Sequence, residues 1–243
     1  MNRRTVGLIL IGDELLNGRK QDAHLPAMIP RFSQRGLEID WVNVVGDNPG
    51  LITRALEDSL GRGDIVFCFG GIGATPDDLT RQCAAAALRV DIELHPAAEQ
   101  EIRAQLGDRL NANHLRMGEF PAGSRIIPNP INRIPGFSIR DHHFVPGFPR
   151  MAWPMVEWVL DHDYASLQAP GQQVTQTLVL TDTSEGPLIP LMEQLLAEFV
   201  HLRLACLPHA EGRQEVELSL RGRPEEVVAG MDRLRELLNQ REK

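Results

Sequence analysis

The sequence is short of cysteine, of long apolar runs and of positive charge, and each shortage narrows the class of protein. Its three cysteines, Cys68, Cys83 and Cys206, form no Cys-x-x-Cys pair, which argues against a disulfide framework. Cys68 and Cys83 fall in apolar segments, where we expect small buried side chains. No apolar run reaches the length of a membrane span, and the first residues lack the apolar core of a signal peptide. The net charge of −8 and the isoelectric point near 5.5 disfavour a nucleic-acid partner, so we expect a cytoplasmic protein that binds neither nucleic acid nor membrane.

Two familiar phosphate-binding motifs are missing from the glycine-rich stretch Gly70–Thr80, although its context favours a phosphate. An apolar run, Asp64–Phe69, leads into it and is typical of a buried parallel strand. A Walker loop would require Lys followed by Ser or Thr, and a dinucleotide fingerprint would require a third glycine where Pro76 stands. The glycines still let the backbone turn sharply, and Thr75 and Pro76 are typical of an N-cap and a first helical residue, which predicts a helix up to about Arg89. A strand, a glycine turn and a helix N-terminus together predict an anion-binding corner.

Asp77 and Asp78 follow these glycines and suggest a metal ion. Two carboxylates beside a phosphate repel it unless a divalent cation lies between them, so the loop favours a phosphate ligand together with Mg²⁺ or Mn²⁺. A second interpretation is open, because Thr75 and Asp78 have the spacing of a capping box and acids in a first turn stabilise the helix dipole. The two roles are compatible.

The first ninety residues alternate strand and helix three times. The predicted elements are a strand over 5–11, a helix over 23–34, a strand over 37–45, a helix from about 49 to 60, a strand over 64–69 and the helix over 75–89. This order predicts a parallel sheet with helices on both faces, whose ligands lie at the carboxyl ends of the strands. The acidic loops at Asp13–Glu14, Asp47 and Asp77–Asp78 each follow one of these strands, so we expect them to converge on one edge of the sheet. Scattered surface acids are the alternative.

The middle of the chain is rich in proline and glycine. After a predicted helix over Pro96–Leu106, the segment Pro121–Pro149 is a long irregular stretch of the kind that often forms a binding loop. It holds a hairpin-like pair of short strands on either side of His142 and His143. The side chains of adjacent residues point in different directions, so we expect two surface histidines at the turn rather than a shared metal site. A helix over Met151–Leu160 follows.

The pattern changes beyond residue 164. Residues 172–243 are predicted to fold in the order β-α-β-β-α, which is typical of a small two-layer α+β domain, while residues 1–164 form the larger α/β domain. The small domain has no Gly-x-x-Gly clamp and no stacking aromatics, which disfavours binding to single-stranded RNA. His209 and Glu211–Arg213 are expected in an exposed loop. We expect this domain to pair subunits or to cover the site.

Several motifs, in a fixed order, carry a resemblance to a known family. They are Gly12-Asp13-Glu14-Leu15-Leu16-x-Gly18, Val45-Gly46-Asp47, the glycine loop with Asp77-Asp78-Leu79-Thr80, Asn129 to Pro135-Gly136, and Pro146-Gly147-x-Pro149. They resemble the N-terminal domain of the competence/damage-inducible CinA family, which belongs to the molybdopterin-binding superfamily together with MoaB/Mog-like molybdopterin adenylyltransferases. The resemblance covers roughly residues 5–160, and the tail is similar to the KH-type region that follows in that family. It implies a three-layer α/β fold with a mostly parallel sheet, plus a small α+β C-terminal domain.

The resemblance also implies roles for individual residues. Asp47 and Asp78 stand where relatives have catalytic acids, and Asp13, Glu14 and Asp77 are the implied metal ligands. The implied ligand- and phosphate-binding residues are Gly12, Gly70, Gly71, Ile72, Gly73, Thr75, Pro146 and Gly147.

The implied ligand is a nucleotide or a pterin. The family resemblance implies hydrolysis of the pyrophosphate bond of ADP-ribose, or of a related nucleotide diphosphate, with Mg²⁺, Mn²⁺ or Co²⁺. The alternatives are a binding module for molybdopterin or a nucleotide without catalysis, and adenylyltransferase activity in molybdenum cofactor biosynthesis. Members of the superfamily commonly form dimers or trimers, which implies a homo-oligomer. Three residues depart from the family pattern: His24 replaces a polar ligand-facing residue, and Arg116 and Arg150 stand either as phosphate contacts or as surface arginines.

Overall fold

The chain separates into two compact units, Met1–Gln168 and Ala169–Lys243. They are described by a computed structural model that covers residues 4–168, 173–209 and 215–241. Within these ranges, no helix combines the length and the apolar character that crossing a bilayer requires.

The first unit alternates strands and helices along its first half, as the sequence predicts. Its elements are β1 (Val6–Ile11), α1 (Asp13–Leu16), α2 (His24–Gln34), β2 (Trp41–Val45), α3 (Pro49–Arg62), β3 (Ile65–Phe69), α4 (Thr80–Leu88), β4 (Ile92–Leu94), α5 (Pro96–Leu106), α6 (Ala112–Arg116), β5 (Glu119–Pro121), β6 (Arg125–Ile127), β7 (Gly136–Ile139), β8 (His142–Val145) and α7 (Pro149–Asp163).

The central sheet has the strand order β2-β1-β3-β8-β7-β6. β1 pairs in parallel with both β2 and β3, and β3 pairs in parallel with β8. β7 then runs antiparallel to β8 and to β6. The prediction of a mostly parallel sheet is confirmed, and the carboxyl ends of β1, β2, β3 and β8 consequently lie at one edge. We call this the carboxyl edge, and the opposite one the amino edge.

Side chains of the buried strands alternate between two apolar layers. Leu8 and Leu10 of β1 pack with α2 and α7 on one face, whereas Ile9 and Ile11 pack with α3 and α4 on the other. Since successive residues of a strand point to opposite faces, an uninterrupted apolar run is required where helices cover both sides. Each fully buried side chain of this size contributes roughly 1.5–3 kcal/mol to folding. The three-layer arrangement that the sequence predicts is therefore confirmed.

The helix after the glycine loop begins later than predicted. α4 starts at Thr80 rather than at Pro76, with Leu79 as its N-cap residue and no side-chain cap. Thr75 and Asp78 bond to each other within the preceding loop, so the capping-box interpretation is wrong. Asp77 and Asp78 do not lie in the first turn of the helix and do not serve its dipole.

The prediction of two surface histidines is also wrong. His142 and His143 are 2% and 0% exposed, because β8 begins at His142 and lies between β3 and β7. The hairpin turn falls two residues earlier, at Arg140 and Asp141, with Arg140 in the left-handed region at a φ of 51°. Each ring is bonded to a hydroxyl group: His142 Nε2 lies 2.8 Å from Ser59 Oγ, and His143 Nδ1 lies 2.8 Å from Ser138 Oγ. His142 Nδ1 is buried and has no hydrogen-bond partner among the described residues.

The second unit has the predicted order β-α-β-β-α. Its elements are β9 (Val174–Thr181), α8 (Ile189–Glu198), β10 (Arg203–His209), β11 (Glu215–Gly222) and α9 (Pro224–Arg241). The antiparallel sheet has the order β10-β11-β9, and its alternate residues Val216, Leu218 and Leu220 pack against the two helices. His209 closes β10 instead of standing in a loop, and the loop predicted at Glu211–Arg213 lies outside the described residues.

Candidate functional site

Two of the acidic loops meet at the carboxyl edge. The main-chain N–H of Asp13 donates to Asp47 Oδ2 at 2.9 Å, and the N–H of Asp47 donates to Asp13 Oδ1 at 3.1 Å. This reciprocal pair joins the ends of β1 and β2. It leaves no room for a side chain at Gly46, where a Cβ atom would lie 2.3 Å from Asp13 Oδ1. The second oxygen of each carboxylate accepts no hydrogen bond from the residues that the structure describes.

Four carboxylates act on one another at this edge. Partial burial raises the pKa of Asp47 above its usual value; the Asp13 N–H opposes the shift, and the charges of Asp13, Glu14 and Asp77 add to it. Glu14 has a cationic neighbour, Lys20, whose Nζ lies 3.1 Å from Glu14 Oε1. Its own main-chain N–H and then Lys20 lower the pKa of Glu14. The edge therefore carries an excess of negative charge.

Asp78 holds the shape of the glycine loop. Its carboxylate accepts hydrogen bonds from the hydroxyl of Thr75 and, at 3.0 Å, from the Thr75 N–H. The Asp78 N–H returns a bond of 3.0 Å to the Thr75 carbonyl. A Cβ atom at Gly73 would lie 2.4 Å from Asp78 Oδ2, so the loop accommodates this carboxylate only because position 73 is glycine.

Gly70 and Gly71 allow the chain to approach itself closely. Both lie in the left-handed region, with φ values of 103° and 67°. A Cβ atom at Gly70 would lie 2.4 Å from the Ile11 carbonyl oxygen, and one at Gly71 would lie 2.2 Å from Thr80 Oγ1. Thr80 is fully buried; its hydroxyl donates to the Gly70 carbonyl and its N–H to the Gly71 carbonyl, each at 2.9 Å. The glycine loop is thus tied to the end of β1 and to the start of α4.

A cleft of about 230 Å³ lies against this loop. Its lining is mainly apolar, with a few amide and carboxylate groups. The lining residues are Gly71, Ile72, Gly73, Asp78, Met117, Asn129, Asn132, Ile134, Pro135, Pro146, Gly147, Phe148 and Met151. A concave apolar surface with few polar groups is typical of a small-molecule site.

A further wall of the cleft, from Asn129 to Pro135, is held by two asparagines. Asn129 donates from Nδ2 to the Ile134 carbonyl and accepts the Ile131 N–H through Oδ1, both at 3.0 Å. Asn132 Oδ1 accepts the Ile134 N–H at 3.1 Å. These bonds shape the segment that the sequence predicts to be a binding loop, so this wall is formed before any ligand arrives.

A second cavity of about 240 Å³ lies beside the first and shares Gly147 and Phe148 with it. The residues that line it include Glu14, Lys20 and His24. Phe148 is 65% exposed and presents an aromatic ring between the two cavities.

His24, one of the departures from the family pattern, is buried and holds this region together. Its Nε2 lies 3.2 Å from the Gly147 carbonyl oxygen, and its Nδ1 accepts the indole N–H of Trp153 at 3.3 Å. These partners place the proton on Nε2. The ring packs on Phe69 with a centroid separation of 4.4 Å, and burial lowers the pKa of His24, so the imidazole is neutral.

Arg81 is a site residue that the sequence analysis missed. It is 1% exposed and lies behind the glycine loop, where its guanidinium donates to the main-chain carbonyls of Gly73, Arg116 and Glu119. A signal was present, because a cation in the first turn of a helix opposes the dipole and needs another reason to be there. That signal required α4 to be placed correctly, four residues further along.

The predicted site residues fall into two neighbouring groups. Asp13, Asp47 and Glu14 gather where β1 and β2 end, and the charge of Asp77 acts on the Asp47 and Glu14 carboxylates. The residues that line the cleft are Asp78, Gly71, Ile72, Gly73, Pro146 and Gly147. Gly12, Gly70 and Thr75 do not line it and instead support the loops.

A divalent cation at the carboxyl edge would depend on carboxylate ligands. In the described part of the chain, no group of three or more His, Cys, Asp or Glu side chains is placed to hold a metal ion. A pair of carboxylates with uncommitted oxygens does suit Mg²⁺, which commonly takes one or two protein carboxylates and completes its shell with phosphate oxygens and water. The Asp13–Asp47 pair meets that description. The predicted metal ligands Asp13, Glu14 and Asp77 all stay predictions.

Comparisons with known proteins agree with this fold. A family model described as a probable molybdopterin binding domain matches residues 7–166, and the chain therefore belongs to the molybdopterin-binding domain family. Relatives of this chain include CinA-like proteins. One from Citrifermentans bemidjiense is 33% identical over 215 residues, covering 85% of this chain and 51% of the relative. One from Anaeromyxobacter dehalogenans is 34% identical over 198 residues, covering 77% of this chain and 48% of the relative.

A solved structure shows the same fold. The protein CinA from Thermoplasma acidophilum, of unknown function, aligns with a TM-score of 0.60 and 25% identity over 66% of this chain and 98% of its own. The predicted resemblance to the CinA family is confirmed. The chain spans about half the length of the two curated relatives above.

Proposed function

We propose that this chain binds a phosphate-bearing nucleotide or pterin in the cleft and, with a divalent cation, hydrolyses the pyrophosphate bond of ADP-ribose or a related nucleotide diphosphate. The observation that carries the proposal is the reciprocal Asp13–Asp47 pair beside the glycine loop. Carboxylates held by each other's main-chain N–H groups are rigid, and rigid carboxylates are what a catalytic metal site requires.

The charge at this edge supports a dependence on metal. Asp13, Asp47, Asp77 and Asp78 have no Lys or Arg side chain within ion-pair distance among the described residues. A diphosphate placed beside them is repelled unless its charge is neutralised. Asp13 and Asp47 would hold a Mg²⁺, Mn²⁺ or Co²⁺ ion, which supplies that neutralisation and makes bound water more acidic.

The remaining residues bind and orient the ligand. The loop Gly71–Gly73 brings main-chain groups close to a phosphate without side-chain obstruction, and Pro146 and Gly147 line the cleft beside it. Asp78 keeps this loop in place through its bonds to Thr75 and also lines the cleft, so its carboxylate contributes both to the shape of the loop and to the charge that the ligand meets. We assign to Asp47, whose pKa is raised, the role of accepting a proton from the attacking water.

The test is incubation of the purified protein with ADP-ribose and Mg²⁺, Mn²⁺ or Co²⁺, followed by chromatography for AMP and ribose 5-phosphate. The expected result is AMP formation that needs the cation and falls to background in Asp78→Asn, since asparagine keeps an oxygen for Thr75 but loses the charge. Turnover in EDTA, or equal turnover by the variant, would contradict the proposal.

A second candidate is binding without turnover. The absence of a three-residue metal cluster in the described ranges, together with the mainly apolar cleft, favours it over hydrolysis by a full protein metal cage. Saturable binding of AMP or molybdopterin with no product would support this candidate. Molybdopterin adenylylation is distinguished by its need for ATP and pterin as joint substrates. We also keep the prediction of a dimer or trimer, which light scattering of the purified chain tests directly.

A further inference from the structure

Arg81 is a fully buried cation without a buried anion to match it. Its side chain is 1% exposed and is the bulkiest of the fully buried side chains. Nη2 donates to the Gly73 carbonyl at 2.7 Å, and Nη1 donates to the carbonyls of Arg116 and, at 3.3 Å, Glu119. Nε has no hydrogen-bond partner, and no carboxylate lies within ion-pair distance in the described ranges.

Such an arrangement is costly for the fold alone. Buried arginines are nearly always paired with a carboxylate, because removing a guanidinium from water costs far more than neutral carbonyls return. Burial lowers the pKa of Arg81, the charges of Glu119 and Asp78 oppose this, and the guanidinium stays protonated. A net positive charge is therefore fixed inside the unit.

The position of this charge is informative. The Gly73 carbonyl belongs to the glycine loop, which forms one wall of the cleft. The Arg116 carbonyl immediately precedes Met117, which follows the end of α6 and lines the cleft. One guanidinium thus ties two separate walls together from behind. At an edge dominated by carboxylates, it also supplies positive potential just beneath the loop.

We propose that Arg81 is a positioning residue that sets the spacing between the glycine loop and the Met117 segment, and that its charge makes the cleft select an anionic, phosphate-bearing ligand over a neutral analogue. The selectivity part rests on the proposed function, whereas the spacing part does not.

Two substitutions separate the parts. Arg81→Lys keeps the charge, but an ammonium on a flexible stem lacks the planar fork that reaches three carbonyls. Arg81→Met removes both the charge and the hydrogen bonds while filling similar space. Arg103→Met is the matched control, because Arg103 is exposed and paired only with Glu99 on α5.

The first measurement compares AMP with adenosine by calorimetry on the full chain at fixed ionic strength. Arg81→Met should weaken the binding of AMP, relative to that of adenosine, by about tenfold or more. This is the size expected for one charge at short range in a partly buried site. Arg81→Lys should largely keep that preference, and Arg103→Met should keep it fully. An unchanged preference in Arg81→Met would overturn the selectivity part.

The second measurement needs no ligand. Hydrogen exchange of the amides in Gly71–Gly73 and at Met117 should be faster in both Arg81 variants than in wild type and in Arg103→Met. Unchanged exchange would overturn the spacing part. If wild type binds neither AMP nor adenosine, the proposed function and the selectivity part fall together, while exchange still decides the spacing part. If Arg81→Met does not fold, Arg81→Gln gives the same comparisons.

Discussion

The two edges of the central sheet differ in how most of their charged side chains are paired. At the amino edge, Arg4 pairs with Asp141 at 2.5 Å and Arg125 with Asp163 at 2.8 Å. At the carboxyl edge, the carboxylates of Asp13, Asp47 and Asp78 are bonded to main-chain or hydroxyl groups, and Arg81 is bonded to carbonyls. Charged side chains that form ion pairs within the protein stabilise its fold. Charged side chains without an oppositely charged partner, in a preformed cleft, are suited to binding a charged ligand.

Buried polar groups at the amino edge form a continuous chain. Ser138 Oγ lies 2.8 Å from His143 Nδ1, and His143 Nε2 lies 2.6 Å from the Tyr164 hydroxyl. That hydroxyl donates to Asp141 Oδ1 at 3.0 Å. This series of hydrogen bonds explains how a fully buried histidine is tolerated. We therefore expect the polar groups of the amino edge to contribute to the stability of the fold. The following predictions test that division.

The largest difference in hydrolytic activity is expected between the variants Asp47→Asn and Asp163→Asn. Asparagine at position 47 can still accept the Asp13 N–H, so the fold should persist while AMP formation from ADP-ribose falls by about 100-fold or more through loss of a metal-binding charge. At position 163 the same change breaks the pair with Arg125 and should cost at most about 1 kcal/mol of stability with activity unchanged. Equal activities for the two variants would remove the distinction between the edges.

The next effect is a pH dependence of stability that originates at the amino edge. Burial lowers the pKa of His142 to about 4 and of His143 to about 3, while both are near 6.5 in the unfolded chain. Between these values the unfolded chain binds more protons, so the free energy of unfolding should fall as the pH drops below about 6.5, by about 1.4 kcal/mol per pH unit for each histidine. All three tryptophans lie in the first unit, so their fluorescence during urea unfolding reports this unit alone.

The matched variants for this prediction are His143→Gln and His162→Gln. The first should flatten the dependence between pH 7 and pH 5 by about half, since His142 still contributes. The second changes an exposed histidine of α7 and should leave the slope as in wild type. A wild-type stability that is constant over this range would contradict the burial of the two rings.

A smaller effect is expected for Tyr164→Phe. Loss of the hydroxyl leaves the Nε2–H of His143 buried without an acceptor, which should cost about 1–3 kcal/mol. Turnover should not change, because the hydroxyl lies at the amino edge. The urea midpoint by tryptophan fluorescence and the ADP-ribose assay measure the two quantities on the same sample, and a variant that loses activity while keeping its stability would reverse the expected roles.

The sequence is informative where periodicity and chemistry coincide. The apolar runs of β1 and β3 predict buried strands, and the order of strands and helices predicts that Asp13 and Asp47 meet, as they do. The reciprocal hydrogen bonds between them follow from three-dimensional placement and have no signature in the chain.

The errors share one physical origin, which is that tertiary contacts override local preferences. Thr75 and Pro76 are residues that favour the start of a helix, yet Thr75 bonds to Asp78 within the loop. The helix begins only at Thr80, whose hydroxyl donates to the Gly70 carbonyl. His142 and His143 look like turn residues, yet partners distant in sequence, Ser59 and Tyr164, make their burial favourable. Arg81 looks like an ordinary helix-surface arginine until the carbonyls of Arg116 and Glu119 are brought against it.

The most direct test of the central claim is calorimetry with the α,β-methylene analogue of ADP, whose bridge is not hydrolysed, in Mg²⁺ and in EDTA. If the carboxyl edge is built for a cation-bridged diphosphate, affinity in Mg²⁺ should exceed that in EDTA by about tenfold or more, and Asp13→Asn should lose this gain. Equal affinity in the two buffers, or a gain that survives in Asp13→Asn, would contradict the account.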